Sequence, residues 1–171
     1  MRSPSEALAL VAFGLALAGG RSGAADAADF AIGPGDTAHY TVIVAEDVPL
    51  TDISLDELRR VFTLKRAFWK PGKLIRVVLP GTGLPTRAFL LDRVCQKTEG
   101  ELRRLVLEST YRGESDQPPK VASSEEEALR LVASLPSAVA LVEADAVLPT
   151  GVKALRIDGK LPTDPGYPLA R

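Results

Sequence analysis

The chain has 171 residues, 25% of them charged, with a formal net charge of −1, one His and one Cys. Mixed signs at near-zero net charge supply no basic field for nucleic acid and none for an anionic membrane surface. A lone cysteine excludes an internal disulfide, and one His with one Cys forms no cluster with metal-ligand spacing.

Arg2 precedes an apolar block at 7–18 (ALALVAFGLALA), and an A-x-A match follows at Ala25-Asp26-Ala27. The block is shorter than the ~20 residues that span a bilayer. This order predicts a secretory signal peptide over 1–27, hence a periplasmic or otherwise secreted protein with no membrane insertion after cleavage. The alternative is an uncleaved amphiphilic N-terminus. No Cys follows the block, which speaks against a lipid anchor. Cleavage near Ala27 leaves about 144 residues, the size of one domain able to bury about two thirds of its unfolded surface. Residues 28–38 read as a flexible lead-in and 39–171 as the domain.

Residues 40–44 (YTVIV) are β-branched and apolar, a strand, with a turn over 45–52. Ser54 and Glu57 form a capping box ahead of a helix to about Phe62, with Leu55, Leu58, Val61 and Phe62 as its apolar stripe. Residues 63–73 (TLKRAFWKPGK) read as a basic, aromatic loop closed by Pro71-Gly72, and 74–79 as a buried strand. The strand breaks at Pro80-Gly81-Thr82-Gly83, and helical spacing resumes from Pro85 with Leu84, Ala88, Leu91 and Cys95 on one face.

Thr98 and Glu101 form a second capping box, opening a helix through about Ser109 with Leu102, Leu105 and Val106 inward. A loop covers 111–119, and Val121 lies in a short strand. Ser123 or Ser124 caps a helix with Glu125, Glu126 and Glu127 in its first turn and Ala128, Leu131 and Val132 inward, ended by Pro136. Strands follow at 138–142 and 152–157, then a turn at Asp158-Gly159 and an extended, Pro-rich tail over 161–171. The alternation, roughly β-α-β-α-α-β-α-β-β, predicts an α/β three-layer sandwich with a largely parallel central sheet.

No G-x-S-x-G elbow, P-loop or G-x-G-x-x-G fingerprint occurs, and the acid pairs Glu46/Asp47 and Glu143/Asp145 fall in loops near strand ends. The expectation is a protein that is not an enzyme and carries no cofactor. Cys95 is either a reactive thiol or a buried packing residue, and its place beside Leu84, Ala88 and Leu91 favours packing. Phe68 and Trp69, among Lys65, Arg66 and Lys70, are either a partner-binding patch or a pair of rings pinning the loop to the core.

The turn after the second strand differs from the other helix starts. Three helices open with acids, as the helix dipole prefers; the one at Pro85 opens with Thr86 and Arg87 and reaches no acid before Asp92. A positive helix end beside a cation, two hydroxyls and two glycines calls for negative charge from outside the helix. An external anion supplies it at Gly81, Thr82, Gly83, Thr86 and Arg87, as does one of the chain's own carboxylates; otherwise Arg87 turns outward to water.

The order of 54–62 (SLDELRRVF), 65–69 (KRAFW), Pro71-Gly72, an apolar strand and a Gly/Thr turn into an A-F-L helix resembles the phosphate-type substrate-binding proteins of ABC transporters. The ending Gly166-Tyr167-Pro168-Leu169-Ala170-Arg171 is similar to that family's Y-P-L close, and the likeness runs from about Tyr40 to Arg171. Family members that trap phosphate are clamshells of two lobes; the length here fits one lobe of a type II periplasmic binding protein. The resemblance implies a domain taking phosphate or a similar small oxyanion for ABC-type uptake or sensing, with an ABC permease or another envelope protein as partner.

Two departures weaken the implied site. The family turn reads G-S-G-T with an Arg four residues before the Ser. Here Thr82 keeps the first hydroxyl, Leu84 replaces the second and Val78 stands at the Arg position, leaving Arg76 or Arg87 to compensate. The rival reading is a non-catalytic envelope interaction module that keeps the fold without the ligand. It would dock another envelope protein or a second copy of itself through Phe68 and Trp69.

Overall fold

The computed structural model describes residues 39–111 and 118–170. The expected signal peptide, the lead-in over 28–38 and most of the loop over 111–119 lie outside the described residues. Eight strands are present: β1 (Tyr40–Ala45), β2 (Asp52–Ile53), β3 (Phe68–Lys70), β4 (Lys73–Leu74), β5 (Arg76–Pro80), β6 (Lys120–Ala122), β7 (Ala138–Glu143) and β8 (Val152–Ile157). The helices are α1 (Leu55–Phe62), α2 (Pro85–Phe89), α3 (Glu99–Tyr111) and α4 (Glu125–Ser134), with a π-helical segment, Leu90–Cys95, continuing α2.

Six strands form one sheet in the order β2-β8-β1-β7-β5-β6, and β3-β4 make a separate hairpin. β1 is antiparallel to both its neighbours while the remaining pairs are parallel, so five strands run one way and β1 alone runs against them. The largely parallel sheet expected from the sequence is present. β1 is buried at every position and β7 at all but Glu143. Since successive strand residues face opposite sides, such burial requires cover on both faces of the sheet.

The connections explain that cover. From β5 the chain moves outward to β6 through α2, the π segment and α3; from β6 it returns past β5 to β7 through α4. Crossovers between parallel strands are right-handed, so reversing direction puts α2–α3 and α4 on opposite faces. The carboxyl ends of β5, β6 and β7 consequently share one edge of the sheet, where open α/β sheets place their sites.

Local signals account for the helix starts. Glu57 N–H donates to Ser54 Oγ (3.2 Å), Glu101 N–H to Thr98 Oγ1 (3.3 Å) and Glu127 N–H to Ser124 Oγ (3.2 Å). The Thr98/Glu101 box closes on both sides, Thr98 N–H donating to Glu101 Oε2 (2.8 Å). At Ser54 the side-chain cap forms, while the Glu57 carboxylate meets the Ser54 hydroxyl (3.4 Å) and Arg66. Ser124 is the cap of α4.

Four expectations need correction. Residues 63–73 are not a plain loop: Pro71-Gly72, with Gly72 at φ 81°, turns the β3–β4 hairpin. The strand read at 74–79 is split, Leu74 closing β4 and β5 beginning at Arg76. The helix after Pro85 does not bury Leu84, Ala88 and Leu91 with Cys95; it buries Phe89, Leu90, Val94 and Cys95. Their spacing of five is the i→i+5 repeat of a π-helix, which a 3.6-residue reading misplaces. The tail is a run of turns, not extended: Asp164 N–H donates to Leu161 O (2.9 Å) and Tyr167 N–H to Asp164 O (3.2 Å). Tyr167 and Leu169 are buried, Tyr40 N–H donates to Leu169 O (3.2 Å), and Ala170 forms an isolated bridge with His39, so the tail packs on the start of β1.

The open edge of β6 is guarded. Gly81 N–H donates to Ala122 O (2.7 Å), so Ala122 and Lys120 face β5 and only the Val121 peptide groups point outward. Pro119 before it has no N–H, and Ser123 N–H after it is taken by Glu127 Oε2 (2.7 Å). That is how edge strands avoid pairing with other chains.

Candidate functional site: an arginine-centred turn at the carboxyl edge

The turn that follows β5 is built by its glycines. A Cβ on Gly81 would stand 3.0 Å from Ala122 O and 3.5 Å from Ser123 Cα, so any other residue would press on the β6 backbone. Leu84 N–H donates to Gly81 O (3.2 Å), and Gly83 takes φ 91°. A left-handed residue at the third position of such a turn is a glycine requirement. Thr82 and Gly83 are exposed, Leu84 is half-buried and offers α2 no side-chain cap, and Pro85 removes one of the N–H groups an anion would use.

Thr86 and Arg87 turn inward, each 8% exposed. The outward-turned Arg87 is therefore not what occurs. Its Nη1 donates to Pro80 O (3.2 Å), and its Nε and Nη2 donate to Glu99 Oε2 (3.0 Å) and Oε1 (2.6 Å). The missing negative charge at α2 is thus delivered by the first residue of α3. Hydrogen bonds from Arg87 hold the Glu99 carboxyl below the usual carboxylate range.

The rest of the edge is acidic. Glu125, at the start of α4, accepts from Glu143 N–H (3.0 Å) at the end of β7. Burial pushes its carboxyl up despite that bond, and the charges of Glu143 and Asp145 add to the rise. Ser123 Oγ is engaged by Glu127. An anion at the turn would therefore find Arg87 already occupied and carboxylates on the neighbouring loops.

The other candidates fall elsewhere. Val78 is fully buried in β5, a core residue where the family pattern has a ligand Arg. Arg76 begins β5, about 13 Å from Pro80 at 3.3 Å per residue, too far to compensate. Phe68 and Trp69 sit on the β3–β4 hairpin at the opposite edge of the sheet, where Ile75 N–H donates to Ala67 O (2.8 Å). The two rings part company: Trp69 is 4% exposed, its Nε1–H donating to Ser137 O (3.0 Å) and its ring 5.9 Å from Arg66 Cζ, while Phe68 is 49% exposed. Cys95 is buried, and desolvation raises its thiol to about 11, so at neutral pH it stays protonated packing. Among the described residues, no group of three or more His, Cys, Asp or Glu is placed to hold a metal, and no helix is long and apolar enough to cross a membrane.

Sequence reasoning missed the part Glu125 plays at this edge, since no spacing links α4 to the end of β7. The Glu99 role carried a signal: an acid-free helix start followed by an acid-rich one.

Neither a protein-family model nor a curated relative matches the sequence. Solved structures do. The chain is similar to a phosphate ABC transporter substrate-binding protein of Clostridium perfringens, solved with phosphate bound, at 19% identity and a TM-score of 0.64 over 79% of this chain and 53% of that one. An ABC-type phosphate transport receptor of Vibrio cholerae gives 20% identity and 0.62 over 79% and 54%. PstS of Borrelia burgdorferi gives 16% and 0.63 over 79% and 56%. The chain spans about half the length of each, and it has the fold of these phosphate-type substrate-binding proteins over that half.

Proposed function

We propose that this chain is an exported, non-catalytic domain of the substrate-binding-protein type that takes a small oxyanion, phosphate or a relative of it, at Gly81, Thr82, Gly83, Thr86 and Arg87. The signal peptide over 1–27 carries the domain at 39–171 to the periplasm or cell surface. An ABC permease or another envelope protein is its partner, for uptake or for sensing.

One observation carries the reading. A guanidinium lies buried at the turn and already holds an oxyanion, the Glu99 carboxylate, through two hydrogen bonds of 2.6 and 3.0 Å. Bidentate geometry of that kind suits carboxylate and phosphate alike. Because Glu99 competes, affinity for a free anion is weak. Thermal unfolding of the purified protein in rising phosphate or sulfate, against chloride of matched ionic strength, tests this. A bound ligand stabilises by RT ln(1 + [L]/Kd), about 2.7 kcal/mol at a hundredfold excess over Kd. Stabilisation specific to the oxyanion is expected; none at tens of millimolar overturns the reading.

A second reading is favoured by Phe68, which stands half-exposed on the hairpin beside Lys70. In it the fold is kept as an envelope interaction module. Concentration-dependent association that is lost in Phe68→Ala would favour this reading, with the protein itself or a membrane-protein extract as partner.

A further inference from the structure

Of the ion pairs among the described residues, Arg87–Glu99 alone joins a nearly enclosed cation to an open anion. The Arg87 side chain is 10% exposed and that of Glu99 45%; the other cations range from 25% to 81%. Arg87 has a second tether independent of Glu99, its Nη1 donating to Pro80 O (3.2 Å). Among the described residues, Glu99 takes both of its side-chain hydrogen bonds from Arg87, and Arg103 acts on it through charge alone. The α3 cap does not use it either, since Thr98 and Glu101 close that box between themselves (Thr98 N–H to Glu101 Oε2, 2.8 Å).

From this arrangement we infer that Glu99 is an autoinhibitory side chain. Its carboxylate covers the Nε–Nη2 edge of Arg87 that an incoming oxyanion must take, and ligand enters only when Glu99 swings out. The inference rests on the oxyanion reading of the turn and adds its regulation. A change of side-chain rotamer is enough to open the edge, because α3 keeps its cap and Arg87 keeps Pro80. Arg103, one helical turn beyond Glu99 and acting on it through its charge, remains to attract the arriving anion. The ligand class follows from the edge itself: a solute presenting two oxygens to a planar fork, as phosphate, sulfate or a carboxylate does.

The test compares inorganic phosphate binding by the full chain and its Glu99→Gln and Glu99→Ala variants, by calorimetry at constant ionic strength. Both variants are expected to bind at least tenfold more tightly than the parent, and adding Arg87→Ala to Glu99→Gln is expected to abolish the gain. Equal affinity in parent and variants overturns the autoinhibitory role while leaving the oxyanion site standing. No binding by any of them at 50 mM phosphate overturns both. Should neither variant fold, the parent decides the matter: phosphate is expected to shift the Arg87 Nε–H and Glu99 carboxyl resonances together. Unmoved resonances overturn the proposal.

Discussion

Each end of the sheet carries a carboxylate held by a cation, and the two are embedded differently. At the amino edge, Asp47 accepts from Ser137 N–H (2.8 Å), Ser137 Oγ–H (3.0 Å) and Lys73 Nζ (2.8 Å). Ser137 in turn offers its carbonyl to Trp69 Nε1–H (3.0 Å) and Arg76 N–H (3.1 Å) while sitting at φ 60°. The β1–β2 connection, the hairpin and the starts of β5 and β7 are thereby joined at one serine. At the carboxyl edge, Glu99 takes its two side-chain hydrogen bonds from one residue, Arg87. Similar chemistry therefore makes a structural knot at one end and a removable plug at the other. What decides is how many other groups depend on the carboxylate.

The largest effect should come from the knot's buried ring. Trp69→Ala removes a 4%-exposed side chain and leaves Ser137 O one donor short, so a loss of about 3–5 kcal/mol is expected in denaturant unfolding. Trp69→Phe keeps most of the volume and should lose much less. If Trp69→Ala costs under 1 kcal/mol, the hairpin is not pinned there and the contrast between the edges fails.

Asp47→Ala should come next, at about 1–3 kcal/mol, because it strands Ser137 N–H in a left-handed residue that depends on it. Partial burial works to raise the Asp47 carboxyl, yet the bonds from Lys73 and Ser137 outweigh it and the net shift is downward. A carboxyl lowered on folding contributes stability that is fully present above its unfolded value and is lost as pH falls through the folded one. The difference between parent and Asp47→Ala should therefore be constant near neutrality and shrink below about pH 4. A difference that persists unchanged at pH 2 would show that the carboxylate is not what holds the knot.

These two sites also mark where sequence reading succeeds. The helix caps at Ser54 and Thr98 were legible because donor and acceptor lie three residues apart and need no tertiary partner. The acid-free start at Pro85 was legible by comparison with its fellows, and so was the possibility that one of the chain's own carboxylates answers it. The Asp47–Ser137 knot spans 90 residues with no local pattern, so its acid looked like any solvated loop charge. The π segment escaped because a 3.6-residue period was imposed on a five-residue one. The hairpin escaped because strands of two and three residues, rich in Lys, look like loop.

The smallest of the three effects belongs to the plug. Glu99→Ala should cost about 1 kcal/mol in chloride buffer, because the Glu99 end of the pair is half-exposed although Arg87 is nearly enclosed. Arg87 keeps Pro80 O, and water reaches the vacated edge from the side where Glu99 is now 45% exposed. The Glu99 carboxyl is lowered chiefly by its bonds from Arg87, so this small term too is present near neutrality and disappears below about pH 4. Acid therefore does not separate the two edges, but phosphate does. It should stabilise Glu99→Ala by more than it stabilises the parent and leave Asp47→Ala no better off than the parent. Should Glu99→Ala prove as costly as Asp47→Ala and gain nothing from phosphate, the turn is a second structural knot.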